Sequence, residues 1–345
     1  MKLKQFILLA AFGLTASATL TSCEDILGHW ERPTGAAVTI YSFSLQDLSE
    51  AAITATALKV TDQAGTEIAT AESDGKYTIK ADDLGSATDL WLEATTATGN
   101  YIAKAKVSEL SAISESGKLK MATIGDVILT NGTFAVPSST EAKAAMIAYI
   151  GNDADASDGS DPDKWHGLAI ALTDANSGNT CTWGTAGPPA GVSTSSTMTD
   201  HKGYLNGIAD AQTLKTSFGD DKAAGKAAAY SVTGFTPGDY GYSDWFLPSS
   251  GQWLKFFDSA GVDVAGWTAW GRAPAPSGGS TGDNWTKINT LLGAAESSIQ
   301  TNWYWSSSEY GGDDAVRVSF NSSNGVLVGN DDKENNYRVR SFLAF

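Results

Sequence analysis

Positively charged residues are scarce in this sequence. Lysine and arginine number 23 against 39 aspartates and glutamates, which gives a formal net charge of −16 at pH 7. Proteins that bind nucleic acid do so largely through clustered lysine and arginine side chains that neutralise phosphates, and the chain has no such cluster. The deficit argues against nucleic acid, and against anionic lipid head groups, as partners.

Cysteine and histidine are also rare. There are two cysteines, Cys23 and Cys181, and three histidines that lie far apart and in no zinc-binding spacing. No GxSxG segment is present to carry a serine nucleophile. We therefore expect no metal site, no cofactor and no enzymatic activity. Acidic residues are so numerous that a facing pair, of the kind glycosidases use, can still arise by chance.

Long apolar stretches are missing after the first residues, and the one at the start is short. Two lysines precede an apolar run over 6–14, well below the roughly 20 residues that cross a bilayer. Leu20, Thr21 and Ser22 then lead into Cys23. A basic start, a short apolar run and small residues predict a secretory signal over 1–22, not a transmembrane helix.

The cysteine that ends this signal carries a resemblance. Leu-Thr-Ser-Cys resembles the lipobox of bacterial lipoproteins, in which the cysteine is acylated and becomes the first residue of the mature chain. The resemblance implies lipidation of Cys23 and stable anchoring in the outer membrane by acyl chains, with the protein at the cell surface. The alternative is an ordinary secreted protein in which Cys23 is incidental.

Composition divides the remaining chain near residue 125. Residues 23–36 predict a short tether that contains Pro33. Residues 37–124 are rich in Thr, Ala and Val and carry short alternating segments, at 57–60, 76–79 and 90–93, separated by turn residues. This pattern predicts a small antiparallel β-sandwich, which we interpret as immunoglobulin-like.

Residues 125–345 have a different character, because nine of the eleven tryptophans lie there among long polar loops. Strands are expected at 127–132, 167–172, 245–247, 303–307, 315–320, 326–329 and 337–345, and helices at 202–218, 221–230 and 251–260. Ser249 or Ser250 is placed to cap the last of these helices. Periodicity leaves 146–150 open as a strand or a helix end. The overall expectation is an α+β protein that is mostly β.

Three segments in this half carry a second resemblance. They are WFLPSSGQW over 245–253, WYWSSSE over 303–309 and YRVR over 337–340. In this order and spacing they resemble the C-type-lectin-like fold, in the branch that holds formylglycine-generating enzymes and the variable proteins of diversity-generating retroelements. The resemblance covers about 126–345 and implies a ligand-binding domain. Formylglycine chemistry needs a cysteine pair, and Cys181 stands alone here.

The segment 309–341 is a candidate variable region within this domain. About half of its positions are Gly, Asp, Asn or Ser, set between aromatic scaffold residues, as in targets of retroelement diversification. The alternative is that surface hairpins are simply rich in turn residues. If the first interpretation holds, outward side chains on a rigid sheet bind a ligand, and the candidates are Tyr310, Gly311, Gly312, Asp313, Asp314, Arg317, Ser319, Asn321, Asn330, Asp331, Asp332, Asn336 and Arg338. Core positions are predicted for Trp245, Trp303 and Trp305, and for Tyr337 in preference to Tyr310.

An acidic loop at 153–163 is the remaining candidate site. It holds five aspartates that could bind calcium: Asp153, Asp155, Asp158, Asp161 and Asp163. The loop fails the EF-hand pattern, because Asp158 stands at the glycine position and Lys164 at the bidentate glutamate position. The calcium-dependent sugar signatures Glu-Pro-Asn and Gln-Pro-Asp are missing too, so a solvated acidic loop is the favoured interpretation.

Together these patterns predict an envelope-anchored lipoprotein that binds a protein or glycan ligand through C-terminal loops. The main alternative is a fimbrial or envelope assembly subunit whose same face meets a fixed partner. A glycan-active enzyme is less favoured.

Overall fold

The computed structural model describes residues 38–156, 164–187 and 192–345. The predicted signal over 1–22 and the whole predicted tether over 23–36, with Cys23, lie outside the described residues. The protein is mostly β: 34% of the residues are in strands, which form several sheets, and 23% are in helices. This confirms the expectation of an α+β protein that is mostly β. No described helix combines the length and apolarity needed to cross a bilayer.

The first half forms one hydrogen-bonded sheet of seven strands in the order β2-β5-β6-β7-β1-β4-β3. Its members are β1 (Ile40–Asp47), β2 (Ala57–Asp62), β3 (Thr70–Ser73), β4 (Lys76–Lys80), β5 (Asp89–Thr95), β6 (Asn100–Lys106) and β7 (Lys118–Thr123). One helix, α1 (Leu110–Ser116), joins β6 to β7 and ends at Gly117 in the left-handed conformation.

Strand β1 joins the two parts of this sheet, β2-β5-β6-β7 and β4-β3. Residues 40–43 pair antiparallel with β4, whereas residues 44–47 pair in parallel with β7. The sheet therefore curls around a common core in which Phe43, Leu45, Ile79 and Leu92 are almost fully buried. The expectation of a wholly antiparallel sandwich is wrong at the β1–β7 pair. The strand order also differs from the immunoglobulin order, since β5 pairs with β6 and β1 pairs with β4.

The second half contains two sheets. A five-stranded sheet has the order β16-β11-β10-β8-β9, and a four-stranded sheet has the order β12-β15-β14-β13. Their strands are β8 (Val127–Leu129), β9 (Phe134–Ala135), β10 (Lys143–Ile150), β11 (Gly167–Ala171), β12 (Gly271–Arg272), β13 (Trp303–Gly311), β14 (Asp314–Asn321), β15 (Gly325–Asp332) and β16 (Phe342–Ala344). The helices are α2 (Met198–Lys202), α3 (Gly207–Phe218), α4 (Ala223–Ala228), α5 (Ser250–Ser259) and α6 (Gly282–Ala294).

Helix α5 is the central support of the second half. It begins at a capping box in which the Ser249 side chain accepts from the Gln252 backbone N–H and the Gln252 side chain accepts from the Ser249 backbone N–H. The helix and its serine cap are thus confirmed. Trp253 and Phe257 point from α5 into the core, where Phe320 of β14 and Phe342 of β16 meet them.

Several predicted elements are shorter than expected or were missed. The helix predicted at 202–218 begins only at Gly207, because Gly203 caps the end of α2 and the chain turns between these two glycines. Gly207 itself packs closely against Gln252. The segment 245–247 makes only a two-residue bridge from Phe246 to Phe342. The segment 146–150 is strand. Helix α6 was not predicted, although Asn284, Ile288 and Leu292 recur on its buried side at four-residue spacing.

The two halves pack against each other through aromatic rings. Trp91 of β5 stacks on His166 at 4.7 Å and lies near Phe345 at 6.2 Å. The His166 ring nitrogen is hydrogen-bonded to the Glu93 carboxylate of the first half. Ile102 and Ala122 join the same buried cluster.

The Trp253 cluster predicts a strong and local stability effect. Trp253→Ala removes a fully buried ring that packs against aromatic side chains of α5, β13, β14 and β16, and it should lower the free energy of unfolding by about 3–5 kcal/mol. Ile40→Ala is the control, since Ile40 is 53% exposed, and should change it by about 0.5 kcal/mol or less. Urea unfolding monitored by circular dichroism measures both, and equal effects would contradict this account of the core.

Candidate functional site

The hairpin formed by β14 and β15 decides where the predicted ligand contacts lie. Val316, Val318 and Phe320 alternate along β14 and are fully buried against the core. Arg317 lies between them on the opposite face, directly across from Gly329 of β15 and from Trp305 of β13. Residues paired in this way point to the same side of a sheet, so the pleat divides the predicted ligand-contact residues on these strands between the two sides of the sheet.

One group forms what we call the arginine face, made of Arg272, Trp303, Arg317, Leu327 and Gly329. Leu327 and Arg272 pair across β15 and β12, which places Arg272 beside the same surface. Arg272 is exposed, and Trp303, Leu327 and Gly329 are partly exposed. A Cβ atom added at Gly329 would meet nothing within 4 Å, so there is open space next to Arg317.

Arg317 is held firmly on this face. Its guanidinium carbon lies 3.2 Å from the centroid of the Trp303 ring, and its Nε donates to Asp331 Oδ2 at 2.9 Å. The Tyr337 hydroxyl donates to the same oxygen at 2.7 Å. Burial and this hydrogen bond raise the pKa of Tyr337 to about 12, so the hydroxyl stays protonated and keeps donating at neutral pH.

Asp331 is the ionised centre of this arrangement. Partial burial acts to raise its pKa, but hydrogen bonds from Tyr337, the Asp332 backbone N–H and Asn335, together with the charge of Arg317, lower it overall. The Asn335 side chain donates to Asp331 Oδ1 at 2.8 Å. The predicted contacts Arg317 and Asp331 therefore act as a fixed pair that side chains on both sides support.

The other predicted contacts lie elsewhere, which corrects the expectation of one outward surface. Asn330 and Asp314 lie on the opposite side of the pleat, where Asn330 Nδ2 donates to Asp314 Oδ2 at 2.8 Å. Ser319 is buried. The Arg338 guanidinium is paired with Asp174 at 2.8 Å, and Asp174 also pairs with the buried Arg340.

The remaining candidates lie at the two ends of the hairpins. Gly311 ends β13, and Gly312 and Asp313 form the turn to β14. Asp332, the last residue of β15, and Asn336 in the segment that follows it are exposed. Asn321 lies at the far end, where its side chain accepts backbone hydrogen bonds that close the β14–β15 turn. Tyr310 is partly buried and meets Trp270 edge to face at 5.3 Å.

The tryptophan predictions are confirmed in two cases of three. Trp245 and Trp305 are buried, and the Trp305 indole N–H donates to the Cys181 carbonyl at 3.0 Å. Trp303 is instead partly exposed on the arginine face. Tyr337 is partly buried and packs on Trp305 with ring centroids 4.6 Å apart, so its predicted packing role is present without full burial.

A buried ion pair that the sequence did not reveal closes the turn end of this sheet. Lys333 and Glu309 are both fully buried and in direct contact. The Lys333 ammonium also donates to the Gly187 carbonyl at 2.9 Å and to the Gly312 carbonyl, and the other Glu309 oxygen accepts from Thr194 at 2.8 Å. A lysine among Gly, Asp and Asn residues carries no signal of burial, so only the fold identifies it.

The acidic loop is only partly described. Asp153 pairs with Lys255, and Asp155 is buried and accepts from Gln252 at 2.8 Å and from the Ile208 N–H at 3.0 Å. Asp158, Asp161 and Asp163 lie outside the described residues. Within the described ranges, no group of three or more His, Cys, Asp or Glu side chains is placed to hold a metal ion.

Cys181 is buried and forms no disulfide with a described residue. Burial raises its pKa to about 11, although Lys226 and Lys222 act in the opposite direction. The thiol therefore stays protonated at neutral pH, whereas nucleophilic chemistry requires the thiolate.

No protein-family model matches the sequence, and no curated protein shows significant similarity to it. Among solved structures, the chain is similar to a fimbrial protein from Bacteroides ovatus. The two are 13% identical, and the match covers 89% of this chain and 71% of that chain with a TM-score of 0.44.

The buried ion pair predicts a clear stability pattern. Lys333→Met leaves the Glu309 carboxylate buried without its cation, and Glu309→Gln leaves the ammonium without its anion. Each should lower the free energy of unfolding by about 3–5 kcal/mol, whereas the double variant should lose much less than the sum.

The matched control is Lys226→Met, which breaks a pair whose partner, Asp221, is 96% exposed. This substitution should lower the free energy of unfolding by about 1 kcal/mol or less. Urea unfolding of the four variants measures the pattern, and a Lys333→Met cost as small as that of the control would show that the buried pair is not a stabilising contact.

Proposed function

We propose that this protein is a lipoprotein, anchored at the cell envelope through Cys23, that binds a ligand at the arginine face of its C-terminal half. Its role is recognition and not catalysis. The ligand is a protein or a glycan, and the arginine and tryptophan side chains of the face favour a protein surface. Residues 125–345 act as a C-type-lectin-like domain, held away from the membrane by the β-sandwich of residues 37–124.

The observation that carries the proposal is the fixed geometry of Arg317 beside open space at Gly329. Arginine, tryptophan and tyrosine contribute much of the energy at protein interfaces. A side chain already held by Trp303 and Asp331 loses little conformational freedom when a partner binds. Gly329 leaves room for an incoming side chain next to the guanidinium.

The positions of the three motifs support the lectin-like assignment. The segment 245–253 provides the cap and first turn of α5, and 303–309 provides most of β13. Residues 337–340 run alongside β13, with Arg338 bridged to Tyr304. All three therefore meet at the four-stranded sheet that presents the arginine face.

Photo-crosslinking in the native envelope tests the proposal. A chain with p-benzoylphenylalanine in place of Gly329 should form a discrete adduct on irradiation, because the substituted ring points into the open space of the arginine face. Arg317→Ala in the same chain should reduce the adduct about tenfold through loss of the central contact.

The control carries the same photoreactive residue in place of Lys76, which lies on the exposed β3–β4 hairpin of the first half. It should give no such adduct. A chain with Cys23→Ser should leave the membrane fraction. Equal labelling from positions 76 and 329 would refute the arginine face as the binding site.

The proposal extends to diversification of the terminal loops. Deep sequencing of one clonal population and of related strains should show substitutions concentrated at the codons for Gly311, Asp313, Arg317, Asn330 and Arg338. Trp305 and Phe345 should stay fixed, and so should Glu309 and Lys333, since both are buried. An invariant segment would contradict diversification and favour a fixed partner, as in an assembly subunit.

A further inference from the structure

A cleft of about 820 Å³ lies where the two halves of the chain meet. Strands β5 and β6 with the loop after β2 form one wall, and the residues around 132, 165 and 240 form the other. Its volume falls in the range of about 300–1,000 Å³ that small-molecule sites occupy, and junctions between structural units are a frequent place for such sites. The cleft is separate from the arginine face.

The floor of the cleft is rigid. Trp91 is buried there, stacked on His166, and the Lys104 ammonium lies 5.2 Å from the centroid of the Trp91 ring. Lys104 also donates to the Tyr240 carbonyl of the other half, and burial lowers the pKa of Lys104. These contacts fix the floor across both halves and leave partly exposed rings at its edge, on Trp165, Tyr240 and Phe134.

Charges around the cleft balance, although the chain as a whole is strongly acidic. The lining residues include four lysines and four carboxylates, together with the side-chain amides of Gln63 and Asn131 and the hydroxyl of Thr133. The charged residues are Lys104, Lys106, Lys120, Lys164, Asp62, Asp89, Glu109 and Asp239. Neither sign predominates on the walls, so a charged ligand gains no net attraction there, while an uncharged ligand with many hydroxyl groups finds both donors and acceptors.

We propose that this cleft is a second binding site, which takes an uncharged oligosaccharide. Pyranose rings have an apolar C–H face that packs on aromatic rings and a rim of hydroxyls that both donate and accept hydrogen bonds. The cleft offers both features: the partly exposed rings of Trp165 and Tyr240, and the polar side chains of both walls. The rigid floor lowers the cost of ordering the site when a sugar binds.

Isothermal titration calorimetry on the full chain carrying Cys23→Ser tests the assignment. The probes are maltotriose, cellotriose and mannotriose as uncharged trisaccharides and trigalacturonate as the charged one, each at about 5 mM, where even millimolar affinity is detected. At least one uncharged trisaccharide should bind, and trigalacturonate should bind more weakly or not at all. Binding by none of the uncharged probes, or preference for trigalacturonate, would overturn the proposal.

Variants place the binding in the cleft. Trp165→Ala should weaken the affinity about tenfold, and Trp165→Phe should keep most of it because a ring remains. Lys106→Ala, on the exposed rim, should weaken it about threefold without stressing the fold, so the location can be tested even if Trp165→Ala folds poorly. Lys76→Ala, far from the cleft, should leave it unchanged. Full affinity in both Trp165→Ala and Lys106→Ala would overturn the placement.

Discussion

The buried contact between Glu309 and Lys333 is the constraint on which the candidate binding surface depends. One lysine binds the end of β13, the β13–β14 turn at Gly312 and the loop at Gly187 at the same time. Because an ammonium in the protein interior requires its full set of acceptors, these three segments cannot move independently. The strand that carries Trp303 therefore ends, and the strand that carries Arg317 begins, at a fixed point. At the opposite end, Asn321 closes the β14–β15 turn with two backbone hydrogen bonds.

The arginine face is held in place by side chains on both sides of the sheet. The core side is held by Trp253 of α5 against Phe320 and Phe342, so that β14 lies on a rigid aromatic layer. On the opposite side, Trp303 and Asp331 hold Arg317. The region richest in Gly, Asp and Asn is thus supported by fully buried aromatic side chains of α5, β14 and β16. Sequence variation at the surface positions would leave this support intact.

The sequence predicts elements well where local chemistry is decisive. The capping box at Ser249 and Gln252 identifies the start of α5, and alternation of apolar residues identifies β13, β14 and β15 to within a few positions. The candidate site was predicted only in part, because which residues share a face depends on strand register and not on composition. Arg317 and Asp331 lie together as expected, but Asn330 falls on the other side and Arg338 is engaged by Asp174.

The burial of Lys333 and the pairing of β1 with β7 depend on contacts between residues far apart in the chain. No short segment of the sequence indicates either feature. The same holds for the cleft between the halves, whose walls come from many stretches of sequence that are far apart in the chain. Trp303 shows a related difficulty, since its neighbours Tyr304 and Trp305 are buried while its own ring covers an arginine.

The divided pairing of β1 has a mechanical consequence. A pull transmitted along the chain from its N-terminal side reaches this strand before any other described element. Residues 44–47 run parallel to β7, so such a load acts along the strands and strains their hydrogen bonds together, whereas opening a hairpin from its end breaks them one at a time. The first described strand therefore has the geometry of a shear clamp, in which the backbone hydrogen bonds of residues 44–47 share a load applied along the chain.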